Sequence, residues 1–187
     1  MRTFLFLGVA TTGRNPEEDH LVQIGSRLVV ADQWQDCHLL FPPATHQAID
    51  TRQAFDTLST QLARAELIVS HHAAFAIATI IAEARRAGRQ EIVTMLSPPQ
   101  FGFDGGTRAA ICTQQLSADY FRYLGQPATS ANTQLSTIYP QLFGEALPST
   151  HNALAAAIAC QRIYHFLNAF QQQQKVAFGA DIVCLAD

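Results

Sequence analysis

Charged side chains are scarce in this chain. Asp, Glu, Lys and Arg make up 14% of its 187 residues, and 12 basic residues face 15 acids for a net charge of −3. Displacement of condensed counterions by Lys and Arg supplies most of the affinity for a phosphate backbone, so tight, non-specific nucleic-acid binding is not expected. No apolar run approaches the roughly 20 residues that a bilayer span requires. Met1-Arg2-Thr3 leads straight into a strand, so neither a membrane segment nor a secretory signal is expected. Cys37, Cys112, Cys160 and Cys184 are scattered without a Cys-x-x-Cys pair, which leaves buried thiols in a reducing cytoplasm as the plain reading. No internal repeat is visible. A hydrophobic content of 48% places the chain among globular proteins, and its length suits one domain.

Periodicity and turn residues lay out the elements. Phe4 to Thr11 reads as a buried strand and Gly13-Arg14-Asn15-Pro16 as the turn after it. Leu21 to Val30 and Trp34 to Phe41 complete an antiparallel meander, with Pro42-Pro43 ending it because proline cannot donate to a ladder. A helix fits Asp50 to Arg64, with Phe55, Leu58, Leu62 and Ala65 on one side. Glu66 to Ser70 is a short strand, Ala73 to Ala87 an alanine-rich helix stopped by Gly88, and Pro98 to Gly106 a loop. Ala110 to Thr113 is a last strand, followed by helices over Gln114–Leu124, Ser130–Leu142 (capped by Ser130 or Asn132) and His151–Phe170. Leu154, Ala157, Ile158, Ile163 and Phe166 are expected to face the core. Residues 1–170 thus form one domain, and 171–187 a tail that either frays or docks through Val176, Phe178, Ile182, Val183 and Leu185. The order predicts an α/β fold: a mixed sheet of about five strands, a meander then strand–helix units, flanked by helices.

Three segments carry a resemblance. Gly8-Val9-Ala10-Thr11-Thr12-Gly13, His71-His72-Ala73-Ala74-Phe75-Ala76 and His151-Asn152-Ala153-Leu154-Ala155-Ala156-Ala157 occur in this order. They resemble the motifs of the DEDDh-type 3′–5′ exonucleases, the family of the polymerase proofreading subunits, which read Asp-x-Glu-Thr-Thr-Gly, His-Asn-x-x-Phe-Asp and His-x-Ala-Leu-x-Asp-Ala. The resemblance runs from about Thr3 to Phe170 and implies a ribonuclease-H-like exonuclease fold. Gln23-Ile24-Gly25 likewise resembles the family's Glu-Ile-Gly. The family's Ile-His-Gly-Ile segment has no clear copy, unless Thr45-His46-Gln47-Ala48-Ile49 is its remnant. Every metal-binding acid of the family falls here on Gly8, Ala10, Ala76 or Ala156.

That substitution bears on the chemistry. The family cleaves phosphodiesters with two divalent ions, Mg²⁺ or Mn²⁺, which generate the attacking hydroxide and stabilise charge on phosphorus and leaving oxygen. Mg²⁺ is held by one or two carboxylates together with substrate phosphate. Without the acids no cofactor is expected. His151 matches the family's general base, five residues before Ala156, but without a metal-bound water it has nothing to deprotonate and reads as a relic. Glu17, Glu18 and Asp19 sit in a turn, where acids are commonly just solvated; Asp104 lies in a glycine-rich loop and Asp119 in a helix, and none has the placement that would rescue the site. A histidine-only Zn²⁺ site from His71, His72 and His151 is an alternative, although adjacent residues seldom converge on one ion. By resemblance Thr11, Thr12 and Gly13 match residues that border the 3′-terminal nucleotide and Phe75 the aromatic of the second motif, four substrate-binding positions; otherwise they are structural, Gly13 serving a turn and Phe75 filling the core.

Three classes compete. The chain is a pseudoenzyme kept as a binding or regulatory module for a protein partner or a nucleic-acid end; or an exonuclease whose acids were replaced by engineering; or an enzyme with an unrelated site. Nucleic-acid binding is expected to be weak, through contacts such as Arg14, Arg52 and Arg64. Returning acids to positions 8, 10, 76 and 156 is expected to rebuild a metal site.

Overall fold

The computed structural model describes residues 2–31, 33–41, 48–102, 108–149 and 151–178. Strands β1 (Thr3–Thr11), β2 (Leu21–Val30) and β3 (Gln33–Leu40) come first, followed by α1 (Ala48–Arg64), β4 (Leu67–Ser70), α2 (Ala73–Arg86), α3 (Gln90–Met95), β5 (Phe101–Gly102) and β6 (Arg108–Cys112). Helices α4 (Thr113–Tyr123), α5 (Leu135–Phe143) and α6 (Ala153–Phe178) close the chain. The sheet runs β3-β2-β1-β4-β6-β5, antiparallel through the meander and parallel from β1 onward. This is the expected mixed sheet with helices on both faces.

The two-residue period of β1 divides the core. Leu5, Leu7 and Val9 join Phe55, Leu58 and Leu62 of α1 and Ile77 and Ile80 of α2 on one face. Phe4 and Phe6 meet Ala157, Cys160 and Tyr164 of α6 on the other, so Gly8 and Ala10 also belong to the α6 face. A further cluster ties α6 to α4 and α5 through Phe121, Ile138, Tyr139, Ile163 and Leu167.

Several expectations are corrected. Phe101–Gly102, inside the anticipated loop, pairs with β6 as a sixth strand, and Gln90–Met95 is an additional helix. Helix α5 begins at Leu135 rather than Ser130, because Thr129 and Asn132 close a turn on each other: Thr129 N–H donates to Asn132 Oδ1 (2.8 Å) and Asn132 N–H to Thr129 Oγ1 (3.2 Å). Helix α6 starts two residues after His151 and continues through Gln171–Gln174 to Phe178, past the expected end near Phe170. Straight-chain glutamines lose little rotamer freedom in a helix, so the run extends it. Ala157 and Ile163 are buried as expected, whereas Leu154 and Ile158 are half-buried and Phe166 is exposed. The segment around Thr45, Asp104, Cys184 and the tail beyond Phe178 lie outside the described residues. Among the described residues no helix is long and apolar enough to cross a membrane.

Candidate functional site

The site begins with how the first turn of α6 meets β1 and β2. Asn152 caps the helix, its Oδ1 accepting the Ala155 N–H (3.0 Å) and its carbonyl the Ala156 N–H (3.0 Å). Gln23 Oε1 accepts the Ala153 N–H (3.3 Å) and lies 3.1 Å from His38 Nε2, so one side chain links β2, β3 and α6. Four residues further along β2, Arg27 reaches Gln161 of α6 (3.0 Å). Between them, Gly25 sits directly opposite Gly8 of β1. A Cβ added at Gly25 would stand 2.0 Å from Leu154 N and 2.1 Å from Ala153 C; one added at Gly8 would stand 2.2 Å from Ala153 O and 3.0 Å from Ala156 Cβ. Both glycines are required by close approach of main chain.

Positions 8 and 156 therefore face each other across a gap that backbone has filled. Ala76 is fully buried in the first turn of α2, and Ala10 is half-buried. The side chains at positions 8, 10, 76 and 156 offer no donor atom to a hard cation, and the Ala153 carbonyl occupies the space a carboxylate at position 8 would need. These residues do not fit Mg²⁺ or Mn²⁺. Among the described residues no group of three His, Cys, Asp or Glu side chains is arranged to hold a metal ion.

The histidine-only Zn²⁺ alternative fails on geometry. His71 is half-buried and engaged at both ring nitrogens: its Nε2–H donates to the Thr133 carbonyl (2.9 Å) and its Nδ1 lies 3.0 Å from Thr113 Oγ1. The carbonyl can only accept, which fixes the tautomer and makes the Thr113 hydroxyl the donor to Nδ1. Cys160 Sγ in turn lies 3.4 Å from Thr113 Oγ1, and as a protonated thiol it donates there. Burial pushes the Cys160 thiol up to about 12 and lowers His71 to about 4, so neither is charged near neutrality. The result is a neutral relay, half-buried at His71 and buried at Thr113 and Cys160, that joins the end of β4 to α4 and α6. His72 turns the other way, exposed at the N-cap of α2 with φ 60°. Asn tolerates this left-handed conformation well, which gives a backbone reason for the Asn of the exonuclease motif at this position. His151 is exposed on a bend ahead of Asn152, its N–H donating to Ser149 Oγ (3.3 Å).

Thr11, Thr12 and Gly13 border a loop that is bonded within itself and to α2, where Arg86 donates to the Asp19 carbonyl (2.7 Å). Thr11 Oγ1 donates to the Gly13 carbonyl (2.5 Å). Thr12 Oγ1 donates to Asp19 Oδ1 (3.2 Å) and accepts the His20 N–H (2.9 Å), while Asp19 Oδ2 accepts the Asn15 N–H (2.8 Å). A Cβ on Gly13 would fall 2.3 Å from the Asp19 carboxylate. Asp19 is thus not merely solvated, as its place in a turn implied; it organises the turn. We expect Asp19→Ala to cost about 1 kcal/mol in urea unfolding, the range for losing hydrogen bonds to a half-exposed carboxylate. An unchanged unfolding midpoint would show the loop to be held otherwise. Phe75 is not in the core but half-buried, stacked on the exposed His72 ring at 5.6 Å and 18°. Asp119, on α4, is engaged by Arg122.

No family model and no curated protein matches the chain. Solved structures do. Escherichia coli exonuclease I in complex with a dT13 oligonucleotide superposes with a TM-score of 0.66 at 14% identity, covering 94% of this chain and 42% of that one. The complex with a 5cy-dT13 oligonucleotide gives 0.64 at 12% identity, with 92% and 42% covered. A zinc-ion-bound form of the E. coli exonuclease I–single-stranded DNA complex gives 0.61 at 13% identity, with 94% and 42% covered. The chain therefore spans less than half the length of these exonuclease I chains, and nearly all of it has their ribonuclease-H-like exonuclease fold.

Proposed function

We propose that this chain is an exonuclease-fold protein without exonuclease chemistry, serving as a binding or regulatory module. The observation that carries the reading is the Ala153 carbonyl, 2.2 Å from where a Cβ at position 8 would stand. Acids replaced in the laboratory would leave a vacated pocket beside a helix still spaced for carboxylates. Here the helix N-terminus is seated on the paired Gly8 and Gly25 and tied down by Gln23, which favours natural loss. His151 remains accessible but has no metal-bound water to act on.

What is bound is a protein partner or a nucleic-acid end. Exonuclease I was solved with single-stranded oligonucleotides, and the Phe75–His72 stack offers a π face to an unpaired base. With a net charge of −3 such binding is expected to be weak and steeply salt-dependent.

The test is incubation with labelled single-stranded DNA and RNA in Mg²⁺ or Mn²⁺, alongside fluorescence anisotropy. No metal-dependent release of 3′ nucleotides is expected, and no sub-micromolar affinity at physiological salt. Exonuclease activity that co-elutes with the protein and disappears in His151→Ala would overturn the reading.

A further inference from the structure

Among the described residues β3 is one edge of the sheet, eight residues long, whereas β5 at the opposite edge has two. Long edges are usually blunted with Lys, Pro or a bulge. β3, Gln33-Trp34-Gln35-Asp36-Cys37-His38-Leu39-Leu40, contains neither Lys nor Pro, and its register with β2 is unbroken. It also carries Trp34 at 64% and Leu40 at 59% exposure. The direction of its free backbone groups follows from the next residue, Phe41, whose N–H donates to the Val22 carbonyl (2.8 Å). Odd-numbered residues therefore bond to β2, and the N–H and C=O groups of Trp34, Asp36, His38 and Leu40 point away from the sheet.

We propose that β3 pairs antiparallel with β3 of a second copy of this chain, about a two-fold axis at Cys37. In that register Trp34 stands opposite Leu40 of the partner, Asp36 opposite His38 of the partner, and the reciprocal pairs repeat across the axis. Apolar meets apolar, acid meets imidazole, and the outward backbone groups of even residues fall into hydrogen-bonded pairs. A shift of two residues in either direction ends this complementarity, placing Asp36 opposite Leu40 or Trp34 opposite His38. The strip is also rigid before association: Arg27 holds Asp36 through two bonds of 2.6 Å and lies 5.6 Å from the Trp34 ring. Cys37 then faces Cys37 of the partner at a non-hydrogen-bonded site, where Cα atoms are roughly 4.5 Å apart and within disulfide reach.

Sedimentation equilibrium of the full chain at micromolar concentration should give a dimer. Trp34→Lys and His38→Glu, both at exposed sites and checked for an unchanged circular dichroism spectrum, should each raise the dissociation constant roughly tenfold or more, since each acts twice across the axis. Diamide, accepting the two electrons and two protons released by two thiols, should trap a covalent dimer in the parent and none in Cys37→Ser. A monomer, a dimer indifferent to both substitutions, or a dimer not trapped through Cys37 would each overturn the proposal. So would a monomer that instead takes an extended peptide of another protein along β3.

Discussion

A Gly8→Asp variant is expected to melt about 10 °C below the parent protein and to gain nothing from millimolar Mg²⁺. The added Cβ alone meets the Ala153 carbonyl at 2.2 Å and the Ala157 N–H at 3.0 Å. Neither belongs to a flexible side chain, so α6 must shift, and it is held there by Gln23, Arg27 and the contact of Gly25 with Leu154. Overpacking of this kind costs roughly 1–3 kcal/mol, and a carboxylate forced into a site without cations adds a desolvation cost. A total near 4 kcal/mol, at roughly 2–4 °C per kcal/mol for a chain of this size, gives the stated shift. Gly8→Ala, which adds the same Cβ without the charge, isolates the steric part, and Gly25→Ala, whose Cβ would stand 2.0 Å from Leu154 N, should also destabilise. Returning all four acids, which from the motifs alone is expected to rebuild a metal centre, has first to displace α6. Melting curves of parent, Gly8→Asp, Gly8→Ala, Gly25→Ala and the four-acid variant, each with and without Mg²⁺, decide the question. A Gly8→Asp protein that melts normally and is stabilised by Mg²⁺ would mean that the cleft is open.

The second large effect concerns pH. His71 is neutral in the folded protein down to about 4, because burial opposes its charging and outweighs the bond to Thr133. In the unfolded chain it protonates near pH 6.5. Between these values the unfolded state holds more protons, so stability is full above about pH 6.5 and falls as the pH drops toward 4. A shift of this size corresponds to about 3 kcal/mol. Urea unfolding at about pH 7 and about pH 4.5 measures the fall, and His71→Gln, which keeps a donor and an acceptor but does not titrate, should flatten it. An equal fall in the His71→Gln protein would assign the acid sensitivity to other groups.

Much of the fold could be read from apolar period and punctuation. β1, β2, α1 and α2 have clean patterns with turn residues at their ends, and the structure follows them. Short elements escaped: Phe101–Gly102 is too brief to show alternation, and Gln90–Met95 too brief to show a helical stripe. The far half of α6 escaped because a run of glutamine has no amphipathic period, although it suits a helix. For the candidate site the motif frame points to 8, 10, 76 and 156, and of these the structure sets 8 against 156. The closure between them was not legible. A glycine in a strand does not announce what a Cβ would strike, and the meaning of Gly8 and Gly25 lies in α6, more than a hundred residues away. Asp19 and His71 were hidden for the same reason, as their partners are fixed by the turn and by tertiary packing. The Gly25 of the Gln-Ile-Gly segment was the one available signal of close packing.

The docking of α6 also bears on the order in which the chain can settle. Along β2, Gln23, Gly25 and Arg27 touch the last helix, while Ile24, Ser26 and Leu28 face α1. A slip by one residue would turn isoleucine or serine toward the Leu154 main chain and leave glycine in the apolar layer. The N-terminal meander can form locally and early, but the side of it that must stay bare of Cβ atoms is proofread only when α6 arrives. That check joins the two ends of the chain, a loop closure of the kind that slows folding. During synthesis the first hairpin thus emerges long before the segment that rejects its misregistered forms.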